Sequence, residues 1–286
     1  MANEHAFDGE VTRRGFLGMG VAAGGAVLLG GRLALAAEAK TDVWVIHGTD
    51  KKKLMDAALK VISDSGGFGK DVKKLTLKIN AAWWSTPEEG GNTHPELVDT
   101  FLKGCKGQGI KQLVMPEHPV QPAGKTFPRS GLLAVAKSNG ANMIDMGSAE
   151  NLWKDVALPK AKNLKNAQMP KDILETDALV NMPVAKHHGG AGLTIAMKNW
   201  LGSVKDRRFL HRNDLHQCIA DLHTFIKPTW TVVDATRIML DRGPKGPTKN
   251  MKKLDLLIVS RDQVAADVYT ATLFPKETAA RAKHLQ

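Results

Sequence analysis

Residues 177–205 read DALVNMPVAKHHGGAGLTIAMKNWLGSVK. Ala178, Leu179 and Val180 form a short apolar run, as at the end of a buried strand. Residues 181–192 are polar and rich in glycine, with Lys186, His187 and His188 directly before Gly189, Gly190 and Gly192. From 193 to 204 the apolar positions are Leu193, Ala196, Met197, Trp200, Leu201 and Val204, a helical spacing. Strand, glycine-rich turn and helix in this order present unpaired backbone N–H groups and the positive end of a helix dipole to an anion. Lys186 and Lys198 flank the turn, so an anionic small molecule or cofactor is the expected ligand.

Outward from this segment the chain alternates. Apolar runs at 43–46, 75–79, 110–115, 143–144, 231–233 and 256–259 read as further strands. Helical patterns separate most of them: 50–63 with Asp50 as cap, a helix opened by Thr93-His94-Pro95-Glu96, 130–139 closed by Gly140, one capped by Asn213 or Asp214, and 263–273. Residues 147–170 read as loop, and 241–250, DRGPKGPTKN, as a Pro/Gly loop. The alternation predicts an α/β fold: a largely parallel sheet of six or seven strands flanked by helices, in a single domain over residues 37–286. In such sheets ligands bind beyond the carboxyl ends of the strands. That rule selects His47, Asn80, His118, Asp145, residues 181–188, Asp234 and Asp262, although loops at strand ends are also polar because they are solvated.

Residues 1–36 carry a twin-arginine signature, Thr12-Arg13-Arg14-Gly15-Phe16-Leu17, then a glycine-rich apolar run and Ala34-Leu35-Ala36 as a cleavage site. The apolar run is too short for a comfortable bilayer span, so no stable membrane span is expected after cleavage. Export by the twin-arginine machinery to the periplasm is the expectation, with an uncleaved N-terminal anchor as the alternative. The chain has 286 residues, 40 Lys+Arg against 29 Asp+Glu, and a net charge of +11. The segment 1–36 holds three arginines and three acids, so the basic balance belongs to the rest of the chain. Its lysines are spread out and no nucleic-acid module is present, so nucleic acid is not an expected partner. Two cysteines, Cys105 and Cys218, are too few to ligate an ordinary iron–sulfur cluster.

The ordered set Lys78 and Asn80, Thr93-His94-Pro95-Glu96, Ser130-Gly131, Asn181-Met182-Pro183, Lys186, His188, Lys198-Asn199, Gly202, His211, Asp234, Gly243-Pro244 and Asp262, Ala265, Asp267 resembles domain-of-unknown-function family 362. The resemblance spans roughly residues 74–272. It implies a site at the strand ends and leaves the reaction open. Some members carry an added ferredoxin-like cluster domain, and that association does not transfer to this chain.

Lys186, His188 and Asp234 are the candidate catalytic residues, because a buried Lys or His beside an Asp has a shifted pKa and moves protons. Lys78, Asn80, Asn181, Gly189, Gly190, Lys198 and Asn199 are the candidates for binding a cofactor or substrate. His187 and His188 are adjacent, and on extended backbone they point to opposite sides. A transition metal would therefore take His188 with His211, His94 or an Asp from another strand end, since neutral imidazole suits zinc, nickel, copper or iron. The functional expectation is an exported enzyme using an anionic or metal-containing cofactor, redox-linked and served by a redox partner protein. The alternative is a non-catalytic binding or accessory protein for an anionic ligand or metal.

Overall fold

The computed structural model describes residues 10–17 and 40–286. The strands are β1 (Glu10–Leu17), β2 (Lys40–His47), β3 (Lys74–Ile79), β4 (Gln112–Glu117), β5 (Asn142–Asp145), β6 (Trp153–Ala157), β7 (Asn166–Pro170), β8 (Ala178–Met182), β9 (Val184–His188), β10 (Gly192–Thr194), β11 (Trp230–Met239) and β12 (Met251–Ser260). Among the described residues, ten of them form one mixed sheet in the order β1-β2-β12-β11-β8-β3-β4-β5, and β9 and β10 extend from β11. β11, β8, β3, β4 and β5 are parallel to their neighbours in that run. β12 is antiparallel to β11 and to β2, and β2 to β1. The sheet is thus mostly parallel and α/β, as the alternation predicts. The antiparallel side follows from the loop at 240–250, which is too short for a helical crossover and returns the chain as a hairpin. Asp262 therefore follows the end of β12 that pairs with the start of β11, where it caps the helix Gln263–Ala271 by accepting the N–H groups of Val264 and Ala265.

The helices Lys51–Asp64 and Pro95–Gly107 cover one face of the parallel strands. Leu54, Met55, Ala58, Leu59 and Ile62 recur along a single face of the first helix and are buried with Leu97, Phe101, Leu75 and Leu77. Asp50 and His94 cap these helices by accepting the N–H groups of Lys53 and Glu96. The helix Leu215–Phe225 packs Cys218, Ile219 and Leu222 in a second core with Leu179 and Trp200. The helix Gln263–Ala271 packs in a third with β2, β11 and β12. Cys105 and Cys218 are free and buried in separate cores. No described helix is long and apolar enough to cross a membrane.

Two stretches differ from their sequence reading. Residues 147–170 contain the antiparallel pair β6–β7, and the buried carboxylate of Asp221 holds the connection between them by accepting the N–H groups of Lys162, Asn163 and Leu164. Residues 193–204 are not one helix. After Pro183 the chain leaves β3 and continues along β11 as β9, turns at 189–191, and returns as β10. A short helix, Ala196–Asn199, and a 3-10 turn, Trp200–Ser203, follow. The helical spacing arose because Leu193, Ala196, Met197, Trp200, Leu201 and Val204 are all buried, although they belong to different elements. Of the segment read as an export signal, residues 10–17 form β1 at the sheet edge, and 1–9 and 18–36 lie outside the described residues.

The hairpin β9–β10 depends on Gly192. Its φ is +72°, and a Cβ there would sit 2.7 Å from the backbone of Arg281 and Ala282. Gly192→Ala is expected to destabilise the protein by about 2–4 kcal/mol in urea unfolding, from left-handed backbone strain and overpacking together. An unchanged midpoint would contradict this account of the hairpin.

Candidate functional site

β8 stays in register with β3 as far as Met182, opposite Ile79. Where β9 departs, a cavity of about 300 Å³ opens beyond the ends of β3 and β4. Its floor is Asn80 and Glu117, and its walls are Lys186, His188 and Thr194 from the β9–β10 hairpin, Lys198 and Asn199 from the short helix, and Arg207 and His211 from the helix Arg207–Arg212.

Asn199 ties the floor together. Its Nδ2 donates to Oδ1 of Asn181 at 2.9 Å and to the carbonyls of Ile79 and Lys78 at 3.2 and 3.3 Å. Its Oδ1 accepts from Nδ2 of Asn80 at 3.0 Å. Asn80 in turn accepts from Nζ of Lys186 at 2.8 Å, and that ammonium also donates to the carbonyl of Gly91. Beneath them Lys78, fully buried, pairs with Oε2 of Glu117 at 3.0 Å. Burial lowers the Lys78 pKa, and Glu117 opposes that shift. Both oxygens of Glu117 are occupied, since Ala81 N–H and His118 N–H also donate to them. Gly202 covers the pair so closely that a Cβ would sit 2.3 Å from Oε1 of Glu117.

The short helix is fixed from below. The carboxylate of Asp267 accepts the N–H groups of Ala196 and Met197 at 2.7 and 2.9 Å. Burial pushes the Asp267 pKa up to about 7 against those hydrogen bonds. This anchor aims Lys198 into the cavity. Lys198 is 8% exposed and its Nζ has no hydrogen-bond partner or carboxylate among the described residues. Burial, then the Arg207 charge, lowers its pKa to about 7. Lys186 is lowered well below its usual value by burial and by Lys198. Arg207, whose helix is capped by Asp206, reaches the carbonyls of His118 and Pro119 at 2.6 and 3.0 Å.

His188 is held in one tautomer. Its Nδ1 accepts the N–H groups of Gly190 and Ala191 at 3.1 and 3.0 Å, so the ring proton is on Nε2. The ring stacks on His211, with centroids 6.2 Å apart and planes 22° apart. Burial, then the charge of Lys198, lowers the His188 pKa to about 2, and burial also lowers that of His211. Both imidazoles are neutral at pH 7. Next to the lining residue Trp83, Trp84 is 44% exposed, with Lys125, Arg129 and Lys245 at 5.4, 5.4 and 5.9 Å from its ring centre.

Of the residues selected from sequence, the cavity gathers Asn80, His118, Lys186, His188, Lys198, Asn199 and His211, with Lys78 and Asn181 directly beneath. Gly189 and Gly190 form the exposed hairpin turn, and the Gly190 N–H is spent on His188 rather than on a ligand. Asp234 and His94 form a neighbouring cluster. The Asp234 carboxylate accepts from Arg237 at 2.6 Å, from the His94 N–H at 2.9 Å and from Thr236. Burial opposes its ionisation, but Arg237 and these hydrogen bonds hold its pKa low. His94 is lowered to about 4 by burial and Arg237. Among the described residues no three His, Cys, Asp or Glu side chains converge as a metal-binding group. Glu117, Thr194 and Arg207 were not selected. Glu117 ends β4, so the strand-end rule reaches it; Thr194 and Arg207 carry no signal in the sequence.

These features define a mixed α/β protein with a cation-lined cavity at the ends of its parallel strands. The chain belongs to the family described as Domain of unknown function (DUF362), whose model matches residues 75–272. No protein of curated function matches it. Among solved structures it is similar in fold to a protein from Thermotoga maritima (11% identity, TM-score 0.51, covering 79% of this chain and 60% of that one). It is also similar to the lactate racemase apoprotein from Thermoanaerobacterium thermosaccharolyticum (12% identity, TM-score 0.52, 79% and 55%). This chain thus spans little more than half the length of these structures.

The buried Lys78–Glu117 pair is expected to behave as a unit. Lys78→Met or Glu117→Gln alone should cost roughly 3–5 kcal/mol, because each leaves a buried polar group unpaired. Lys78→Met with Glu117→Gln should cost less than the sum of the two. Denaturant unfolding of the four proteins gives the coupling, and strict additivity would contradict the pairing.

Proposed function

We propose that this cavity binds a small organic anion, a carboxylate of a few carbons, and that Lys198 exchanges a proton with it. The observation that carries this reading is Lys198 itself: a buried amine on the cavity wall without a partner among the described residues, near Lys186 and Arg207. A buried cation left unpaired is costly, and an anionic ligand would relieve that cost. The Nε2–H of His188 would act as a neutral hydrogen-bond donor to the ligand's oxygen, and the buried Thr194 hydroxyl, which has no partner among the described residues, as a second. The volume of about 300 Å³ suits a ligand of this size. The fold shared with lactate racemase, named for a small carboxylate, is consistent with the same class of ligand.

The pH dependence follows from the sign of the Lys198 shift. Below about pH 7 Lys198 is an ammonium and attracts the anion; above it the amine is neutral and the attraction fades. Binding of lactate, which stays a monoanion across this range, should therefore strengthen by calorimetry as pH falls through 7. Lys198→Met should weaken it roughly 10- to 100-fold at pH 6, the worth of one charge-assisted hydrogen bond, and remove the step. Equal binding by Lys198→Met and the parent protein would refute this reading.

The same reading takes residues 1–36 as a twin-arginine export signal, supported by the order of Arg13-Arg14, apolar run and Ala34-Leu35-Ala36. Protein recovered from the periplasm should then begin at residue 37 by N-terminal sequencing. An intact N-terminus on protein confined to the cytoplasm would contradict export.

A further inference from the structure

We propose that Lys198 is a nucleophile that forms an imine with the carbonyl carbon of a small 2-oxo carboxylate held in this cavity. The inference rests on the anion-binding reading above and deepens it from ligand class to chemistry. A lysine kept only to hold charge would normally be paired with a carboxylate when buried. Here the one carboxylate of the cavity, Glu117, is filled by Lys78 and two backbone N–H groups. Lys198 is buried on the cavity wall beside Arg207, an arrangement that favours the neutral, nucleophilic amine, in agreement with its lowered pKa.

The remaining groups suit a carbonyl compound with a carboxylate beside it. Arg207 on the cavity wall supplies positive charge for the carboxylate. His188 cannot accept through Nδ1, which already takes the Gly190 and Ala191 N–H groups, so it presents Nε2–H to an oxygen atom. The Thr194 hydroxyl is buried on the same wall with no hydrogen-bond partner among the described residues. Two donors aimed at one cavity fit the carbonyl oxygen whose charge grows as the amine adds.

The step balances without a co-reactant. The lone pair of Nζ attacks the carbonyl carbon, and the π pair of the C=O bond moves onto oxygen. The two amine protons leave with that oxygen as water, one on forming the carbinolamine and one on its dehydration. A C=N bond replaces the C=O bond, and nothing is oxidised or reduced.

The test is to incubate the full-length protein with pyruvate and sodium cyanoborohydride, then to measure intact mass and map the modified peptide. Calorimetry with pyruvate and with lactate runs in parallel. The expected result is one reduced pyruvate unit on Lys198, protection by excess lactate, and no adduct in Lys198→Arg, which keeps the charge. Folding of that variant is checked by circular dichroism. Pyruvate binding without an adduct on Lys198, or adducts only on exposed lysines, would overturn the imine and leave the anion site standing. If neither pyruvate nor lactate binds, the anion reading fails and the imine with it.

Discussion

The side chain of Asn199 holds the site in place. It bonds at once to Asn181 on β8, to Asn80 at the end of β3, and to the backbone of Lys78 and Ile79. Adjacent strands are already joined by their ladder; what Asn199 adds is a fixed position for a short helix of four residues. Such a helix has little stability of its own. Asp267 supplies its other anchor through the N–H groups of Ala196 and Met197. Between these two anchors lies Lys198, whose placement is thus set by the side chains on either side of it rather than by helical propensity.

A second constraint is charge. The cavity region holds Lys78, Lys186, Lys198 and Arg207 but a single carboxylate, Glu117. Glu117 compensates Lys78, and Lys186 is satisfied by Asn80 and the Gly91 carbonyl. Arg207 reaches the carbonyls of His118 and Pro119. Lys198 is left with like charges nearby and little water. Desolvation and repulsion act in the same direction on an amine, which is why its pKa falls to about 7. Burial, then the charge of Lys198, keeps His188 neutral, and its fixed tautomer turns it into a donor. This imbalance is the feature on which the proposed anion binding rests.

The parallel half of the sheet was legible in the sequence because β3, β4, β8 and the start of β11 are short apolar runs that end in polar residues. Asn80, Lys186, His188, Lys198 and Asn199 could be located from the strand-end rule and the segment 177–205. The β9–β10 hairpin could not, because burial on several sides gives Leu193 through Val204 the same apolar spacing as a helix. Asp234 illustrates a related difficulty. It is a polar residue past the level where β8 ends, yet Arg237 and the His94 N–H consume its carboxylate. Which polar strand-end residues face a cavity and which are satisfied internally depends on partners 140 residues away, as for His94 and Asp234. Arg207 is a case of the same kind, since nothing local marks it, and only the fold brings it over Glu117 and Lys198.

The most direct measurement is an NMR titration of the protein labelled with ¹³C at the lysine Cε, with Lys198 assigned by Lys198→Arg. The account predicts the Lys198 resonance titrating near pH 7, far below the ordinary value of about 10.4, and moving upward when a carboxylate is bound. A Lys198 resonance that titrates near 10 and ignores added anion would contradict it.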